Sequence, residues 1–400
     1  MAINKAEDLV LQLCTKSFLS LWSYHAPQGK DRGKELCDIL VICDPDVIIF
    51  SVKEIKAPDT GDEIVDWQRW RRRAIKESVD QIYGAERFIN TSLKVITKEG
   101  KDGLLFPDKP VRVIHRVAVA LGSEGKFPIE LGDFGRGFVH VFDEVSLNAI
   151  MQELNTITDF VEYLRTKESL IRTGPKPIMA GEEDLLALYL AKNREFPENT
   201  DVLIIDNNFW DEFRASDEYK TKKEADKASY GWNGLIETLC EHIIGGTLEF
   251  GNTLSEGEMA IRQMARENRF QRRSLYKAFS EFLLSSTKIH SRMLLSPSGT
   301  KYVFLACSTD VLRRHRVAEL GARCFVARGL SPDCTTVVGI ATEQYVRGQG
   351  FSLDICYLHS PNWTPENQAE ASRLQEEFGW FVKPEVTHVT EDEYPTSAQG

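Results

Sequence analysis

Four charged side chains bracket two of the most apolar runs in this chain. Asp38 precedes Ile39–Cys43, and Lys53, Glu54 and Lys56 follow Val47–Phe50. Carboxylates on facing strands hold a hard divalent cation through oxygen. A lysine beside them stabilises charge that builds on a phosphate as it is attacked. Together these groups are what metal-assisted phosphodiester hydrolysis requires. Two registers of the strand pair compete for the role. In the first, Glu54-Ile55-Lys56 supplies acid and lysine directly, Asp38 and Glu54 hold the metal, and a bulge near Ser51 brings Glu54 to the Asp38 side. In the second, a simple hairpin turning at Pro45-Asp46 sets Asp38 opposite Lys53. Ser51 then replaces the second acid, and Glu35 or Glu7 must supply a carboxylate. A one-residue slip exchanges the two faces. We take the first register as the working expectation; Asp38 belongs to both.

The elements that must position these groups are readable. Runs as apolar as Ile39–Cys43 and Val47–Phe50 belong to strands buried on both faces, and Asp44-Pro45-Asp46 between them has turn chemistry. Ahead of them, Leu9, Leu13, Phe18 and Leu21 mark an amphipathic helix over residues 6–22 with Glu7 in its first turn. After them, a long helix runs from Glu63 to Asn90. Its packed stripe is Trp67, Ala74, Ser78, Ala85 and Ile89. Gln81 and Arg71 fall on the edge of that stripe, where a buried amide needs partners. Arg69, Arg71, Arg72 and Arg73 lie beside Trp67 and Trp70 and suit phosphate contacts.

This order of helix, hairpin and helix resembles the PD-(D/E)xK nuclease superfamily, over residues 5 to 95. The resemblance implies a restriction-endonuclease-like fold and a Mg2+-dependent (or Mn2+-dependent) endonuclease that cuts nucleic acid, DNA above all. Within it, Asp38 is the hairpin acid, Glu54-Ile55-Lys56 the (D/E)-x-K triplet, Glu7 the helix acid and Gln81 the glutamine of the following helix. It also implies a setting in prokaryotic defence, antiviral defence included, or in DNA processing. The alternative is a catalytically degenerate protein that keeps the nuclease fold and acts as a binding or sensing module for nucleic acid or protein.

Downstream, the pattern predicts strands over Val111–Gly122 and Phe138–Phe142, then helices from Ser146. A helix to about Ser285 carries the stripe Arg262, Arg266, Arg269 and Arg273. Strands follow over Tyr302–Ala306, Arg323–Ala327, Val337–Thr342 and Ser352–Leu358. Arg313-Arg314-His315-Arg316 reads as a surface run. The expected whole is an α/β protein in three parts: a restriction-endonuclease-like domain with a mixed central sheet (1–142), a mainly helical region (143–288) and a smaller α+β domain (289–400). The helical and C-terminal parts are the expected place for a protein partner or a homo-oligomer contact.

Composition sets outer limits. The 400 residues carry 49 Lys+Arg against 60 Asp+Glu, a net charge of −11, which argues against a surface coated in nucleic acid but leaves room for a local basic face. The eight cysteines form no CxxC pair, as expected of reduced thiols in a cytoplasm rather than a disulfide framework or zinc site. No apolar run is long enough to span a membrane. There is no HExxH, GxSxG or GxxxxGK[ST] pattern.

Overall fold

The computed structural model describes residues 4–29, 33–198, 200–245, 254–284, 290–344, 352–382 and 391–394. It is an α/β protein whose chain divides into two compact units, residues 1–219 and 220–400.

The first unit is built on a six-stranded mixed sheet. Its strands are β1 (Ser23–His25), β2 (Ile39–Cys43), β3 (Asp46–Glu54), β6 (Val113–Leu121), β8 (Phe138–Phe142) and the short β7 (Gly132–Asp133), in the order β1-β2-β3-β6-β8-β7. The pairs β3/β6 and β6/β8 are parallel and the outer ones antiparallel. β2 is buried throughout, as are the first seven residues of β3, which is why their sequences do not alternate. Helix α1 (Lys5–Phe18) covers one face, where Phe18 and Phe50 rings lie 6.5 Å apart. The other face meets the long helical segment after β3. Asp62 caps that segment by accepting from the Ile64 and Val65 amides. It runs as α2 (Glu63–Arg71), a π-turn (Arg72–Lys76) and α3 (Glu77–Ile89), so the single helix expected here is interrupted. Trp70, Ala74 and Ile82 pack on Leu40, Val47, Ile49 and Ala118 in one core. A small hairpin, β4 (Lys94–Ile96) and β5 (Asp102–Leu105), precedes β6.

The expected helical region over 143–288 is not a unit of its own. Helices α4 (Glu144–Glu153) and α5 (Ile157–Thr173) complete the first unit, and Phe160 of α5 stacks 6.2 Å from Phe50 of the central sheet. A parallel pair, β9 (Lys176–Ile178) and β10 (Val202–Ile204), flanks α6 (Glu182–Ala191), and α7 (Phe209–Ala215) follows. The chain passes through α8 (Asp217–Asp226) into the second unit. There α9 (Ser229–Ile244), α10 (Leu254–Arg266) and α11 (Arg269–Leu284) lead to a sheet of order β11-β12-β13-β14. Its strands are His290–Leu295, Thr300–Cys307, Thr336–Glu343 and Leu353–His359. Trp232 of α9 meets Tyr302 of β12 at 5.4 Å, and Phe279 of α11 meets Phe304 at 5.0 Å. Buried aromatics therefore assign the two halves of the region to different sheets. On the other sheet face, α12 (Arg313–Gly329) makes the crossover between the parallel β12 and β13, and α13 (Pro365–Phe378) follows β14.

Three further expectations are corrected in this unit. Arg323–Ala327 is helix, not strand: Leu320, Cys324 and Ala327 form an i, i+4, i+7 stripe in the core, and Arg323 bonds back to Glu319. The arginine stripe is broken between α10 and α11. Arg269 and Arg273 are buried, Arg269 lying 4.6 Å over Tyr230 and Arg273 bonding the Asp392 carbonyl. In the presumed surface run, Arg316 is buried and paired with Asp354 and Glu343. None of the eight cysteines is in a disulfide. Among the described residues no helix is long and apolar enough to cross a membrane.

Candidate active site

The hairpin fixes the site. Ile39 pairs with Phe50 and Cys43 with Asp46, so the turn is centred on Asp44-Pro45, one residue earlier than a turn at Pro45-Asp46, and the pairing shifts by two from Asp38 opposite Lys53. The reason is Asp46. Its carboxylate is fully buried, bonded to His115 Nε2 at 2.8 Å and to Arg165, so Asp46 belongs to the strand rather than to the turn. One step beyond the Ile39–Phe50 pair, Asp38 stands level with Ser51. The shift of two residues keeps Ser51 and Lys53 on the Asp38 face.

Side-chain contacts close this arrangement. Asp38 is buried; one carboxylate oxygen accepts the Val52 amide and the other accepts from Gln81 Nε2 at 3.3 Å. Ser51 Oγ donates to Gln81 Oε1 at 2.8 Å. The edge glutamine of the helix thus finds its partners on the hairpin, one bond to each strand. Glu35 reaches the same place and shares a hydrogen bond with the Asp38 carboxylate. Burial, that bond and the negative charges of Asp38 and Glu7 push the Glu35 carboxyl up to about 7, against the opposing pull of Lys53. Glu7, on the first turn of α1, lies 3.9 Å from His25 Nε2. Burial and the neighbouring Lys98 hold His25 below its ordinary range.

Glu54 and Lys56 are not part of this cluster. β3 runs against β6 in unbroken register from Asp46–Val113 to Glu54–Leu121, so no bulge rotates Glu54 toward Asp38. It ends the strand exposed, with the opposite parity to Ser51 and Lys53, and Lys56 is exposed beyond it. The expected metal pair of Asp38 and Glu54 is therefore not assembled; Asp38 and Glu35 are the carboxylates in contact. Arg71 is taken up internally by a two-bond pair with Glu130 and lies 5.6 Å from the Trp67 ring centre. Arg69, Arg72 and Arg73 remain exposed on the outer side of the helix. His25 escaped the sequence reading altogether, because it reaches the cluster by pairing with Ile39 across β1 and β2, and nothing local signals that.

Among the described residues, no group of three or more His, Cys, Asp or Glu side chains could enclose a metal ion. The donor set still suits Mg2+, which usually keeps several waters and takes one or two carboxylates plus substrate phosphate oxygens. Asp38 is locked in place by Val52 and Gln81, and Glu35, its carboxyl pushed up to about 7 by burial and by the Asp38 charge, stands against it where a cation would relieve that repulsion.

The Glu35 position makes stability depend on pH. The folded state keeps this proton up to about 7, while the unfolded chain releases it near 4.5. Between those values the folded state binds more protons, so stability falls as pH rises. Glu35 is an exposed residue despite its buried neighbours, so solvent screens the effect to about 1 kcal/mol. Glu35→Gln is expected to match the native protein in denaturant unfolding at pH 4 and exceed it by that amount at pH 8. A variant with equal midpoints at both pH values would contradict the assigned proton.

The site thus lies at one end of a mixed sheet, between a hairpin and the helix that follows it. Compared with protein-family models, with curated proteins and with solved structures, the chain finds no match.

Proposed function

We propose that the first unit is a metal-dependent nuclease of the restriction-endonuclease-like class that hydrolyses phosphodiester bonds, with its centre at Asp38, Glu35 and Lys53. The observation that carries this reading is the contact of two carboxylates beside a lysine of the next strand, with Gln81 bridging both strands. A Mg2+ or Mn2+ ion at this place would polarise the scissile phosphate and activate a water. Asp38 and Glu35 would hold it. Lys53 lies on the face where negative charge would grow and would stabilise it there. Gln81 and the Val52 amide fix the Asp38 carboxylate so that little reorganisation accompanies reaction. Ser51 stands where the family pattern carries an acid, and Glu35 takes over that charge from the neighbouring segment.

Ser51 also favours a second reading, in which the fold is kept and cleavage is lost. Incubating the purified protein with labelled duplex DNA, single-stranded DNA and RNA separates the two. The nuclease reading expects cleavage in Mg2+ or Mn2+ and none in EDTA. Binding without cleavage in either metal would favour the second.

A further inference from the structure

We propose that the outer face of the α2–π-turn–α3 segment is a track for the sugar-phosphate backbone of nucleic acid flanking the scissile bond, formed by Arg69, Arg72, Arg73 and Lys76. The identification of the polyanion rests on the nuclease reading; the track itself rests on the helix.

All four cations are exposed, and none has a hydrogen bond or ion pair among the described residues. Single exposed cations of this kind occur elsewhere, as at Lys109, Lys126 and Lys192; here four stand along one helical segment. In a continuous α-helix Arg73 would neighbour Glu77 and Lys76 would neighbour Asp80, each at i, i+4, the spacing of an ordinary helix ion pair. Neither pair forms. The π-turn spans Arg72–Lys76, with the Glu77 amide donating to the Arg72 carbonyl five residues back, and this changes the angular spacing between Arg73 and Glu77. Meanwhile Arg71, one residue away, is withdrawn to Glu130. The segment thus sorts its arginines: one neutralised on the inner edge, three left unpaired outside with a lysine.

From Arg69 to Lys76 the cations span about 10 Å of helix axis, a length facing several charges of a nucleic-acid backbone. In a chain of net charge −11 this local cluster runs against the overall sign. The same segment presents Gln81 to Asp38 from its inner face. The track and the reacting centre therefore sit on opposite sides of one helix. The track holds nucleic acid beside the site and does not touch the reacting phosphate. It acts on affinity, not on the chemical step.

The test is the variant R69A/R72A/R73A/K76A, compared with native protein and with K109A/K126A/K192A/R373A, which removes the same charge from four other exposed positions. Binding of labelled duplex DNA and of RNA is read by fluorescence anisotropy in EDTA across a salt series. The track variant is expected to bind at least tenfold more weakly, with a slope of log Kd against log salt reduced by about 3, and the control variant to bind within about threefold of native. At saturating substrate in Mg2+, its kcat is expected within about threefold of native while KM rises. Equal losses in the two variants, or native affinity in the track variant, would overturn the proposal. Because binding is measured without metal, a track that binds beside a site that never cuts would refute the nuclease reading alone, and a site that cuts with an irrelevant track would refute this proposal alone.

Discussion

Replacing Asp38 by Asn is expected to lower metal-dependent cleavage about a thousandfold or more, and Lys53→Met to do the same within an order of magnitude. The substitution Asp38→Asn keeps the side-chain volume. It removes the charge that Asp38 brings to the metal and leaves an amide against Glu35, Gln81 and the Val52 N–H. Lys53→Met keeps the aliphatic stem and deletes the ammonium. Glu54→Gln and Lys56→Met are the informative companions. Both positions are exposed at the end of β3 or beyond it, and Glu54 has the wrong parity for the site. Each is expected to stay within about threefold of native. The opposite pattern, with Glu54→Gln inactive and Lys53→Met active, would mean that the hairpin works in the bulged register. Circular dichroism on each variant separates lost chemistry from lost fold.

Glu182→Ala is expected to destabilise the first unit by about 3–5 kcal/mol. Lys167 is fully buried on α5, its ammonium bonded to both Glu182 oxygens and 4.7 Å from the Phe142 ring centre. Tyr163 donates to the same carboxylate at 2.9 Å. Removing Glu182 leaves a buried cation without its counter-charge. Burial already holds Lys167 below its ordinary range, so the variant escapes part of the cost by losing the proton. The folded variant then binds fewer protons than its unfolded chain, so the loss is expected to shrink as pH rises toward the normal lysine range. The double variant Lys167→Met/Glu182→Gln should recover most of the stability, since it keeps a partner for Tyr163 and buries no charge. Urea unfolding of the three proteins at pH 7 and pH 9 reads all of this. A Glu182→Ala loss below about 1 kcal/mol would show that the pair contributes little.

The parts of the site that local chemistry dictates are legible in the sequence. Asp38 stands out because a charge abuts an apolar run, and Gln81 because an amide falls on a stripe of small and aromatic residues. Both are where those patterns predict, joined by a hydrogen bond. The register was not legible, because it is decided by residues far along the chain. Asp46 is drawn into the strand by His115 and Arg165, 69 and 119 residues away. That contact moves the turn by one residue and the pairing by two, which leaves the faces unchanged; the unbulged β3 then keeps Ser51 and Lys53, not Glu54 and Lys56, on the Asp38 side and leaves Glu35 as the second acid. The domain division failed for a related reason. Helical periodicity shows that Phe160, Trp232 and Phe279 face something, but not which sheet; Phe160 packs on Phe50, and the other two pack on Tyr302 and Phe304. The π-turn leaves no clear mark either, since Arg72–Lys76 contains no glycine or proline.

Cleavage of a labelled duplex by native protein and Asp38→Asn, prepared in parallel and titrated with Mn2+ before addition of EDTA, tests the central claim most directly. The account predicts cleavage by native protein that rises with metal and stops on chelation, and none above background by the variant. Equal cleavage by both proteins, or none by native protein in Mg2+ or Mn2+ on DNA or RNA, would contradict it.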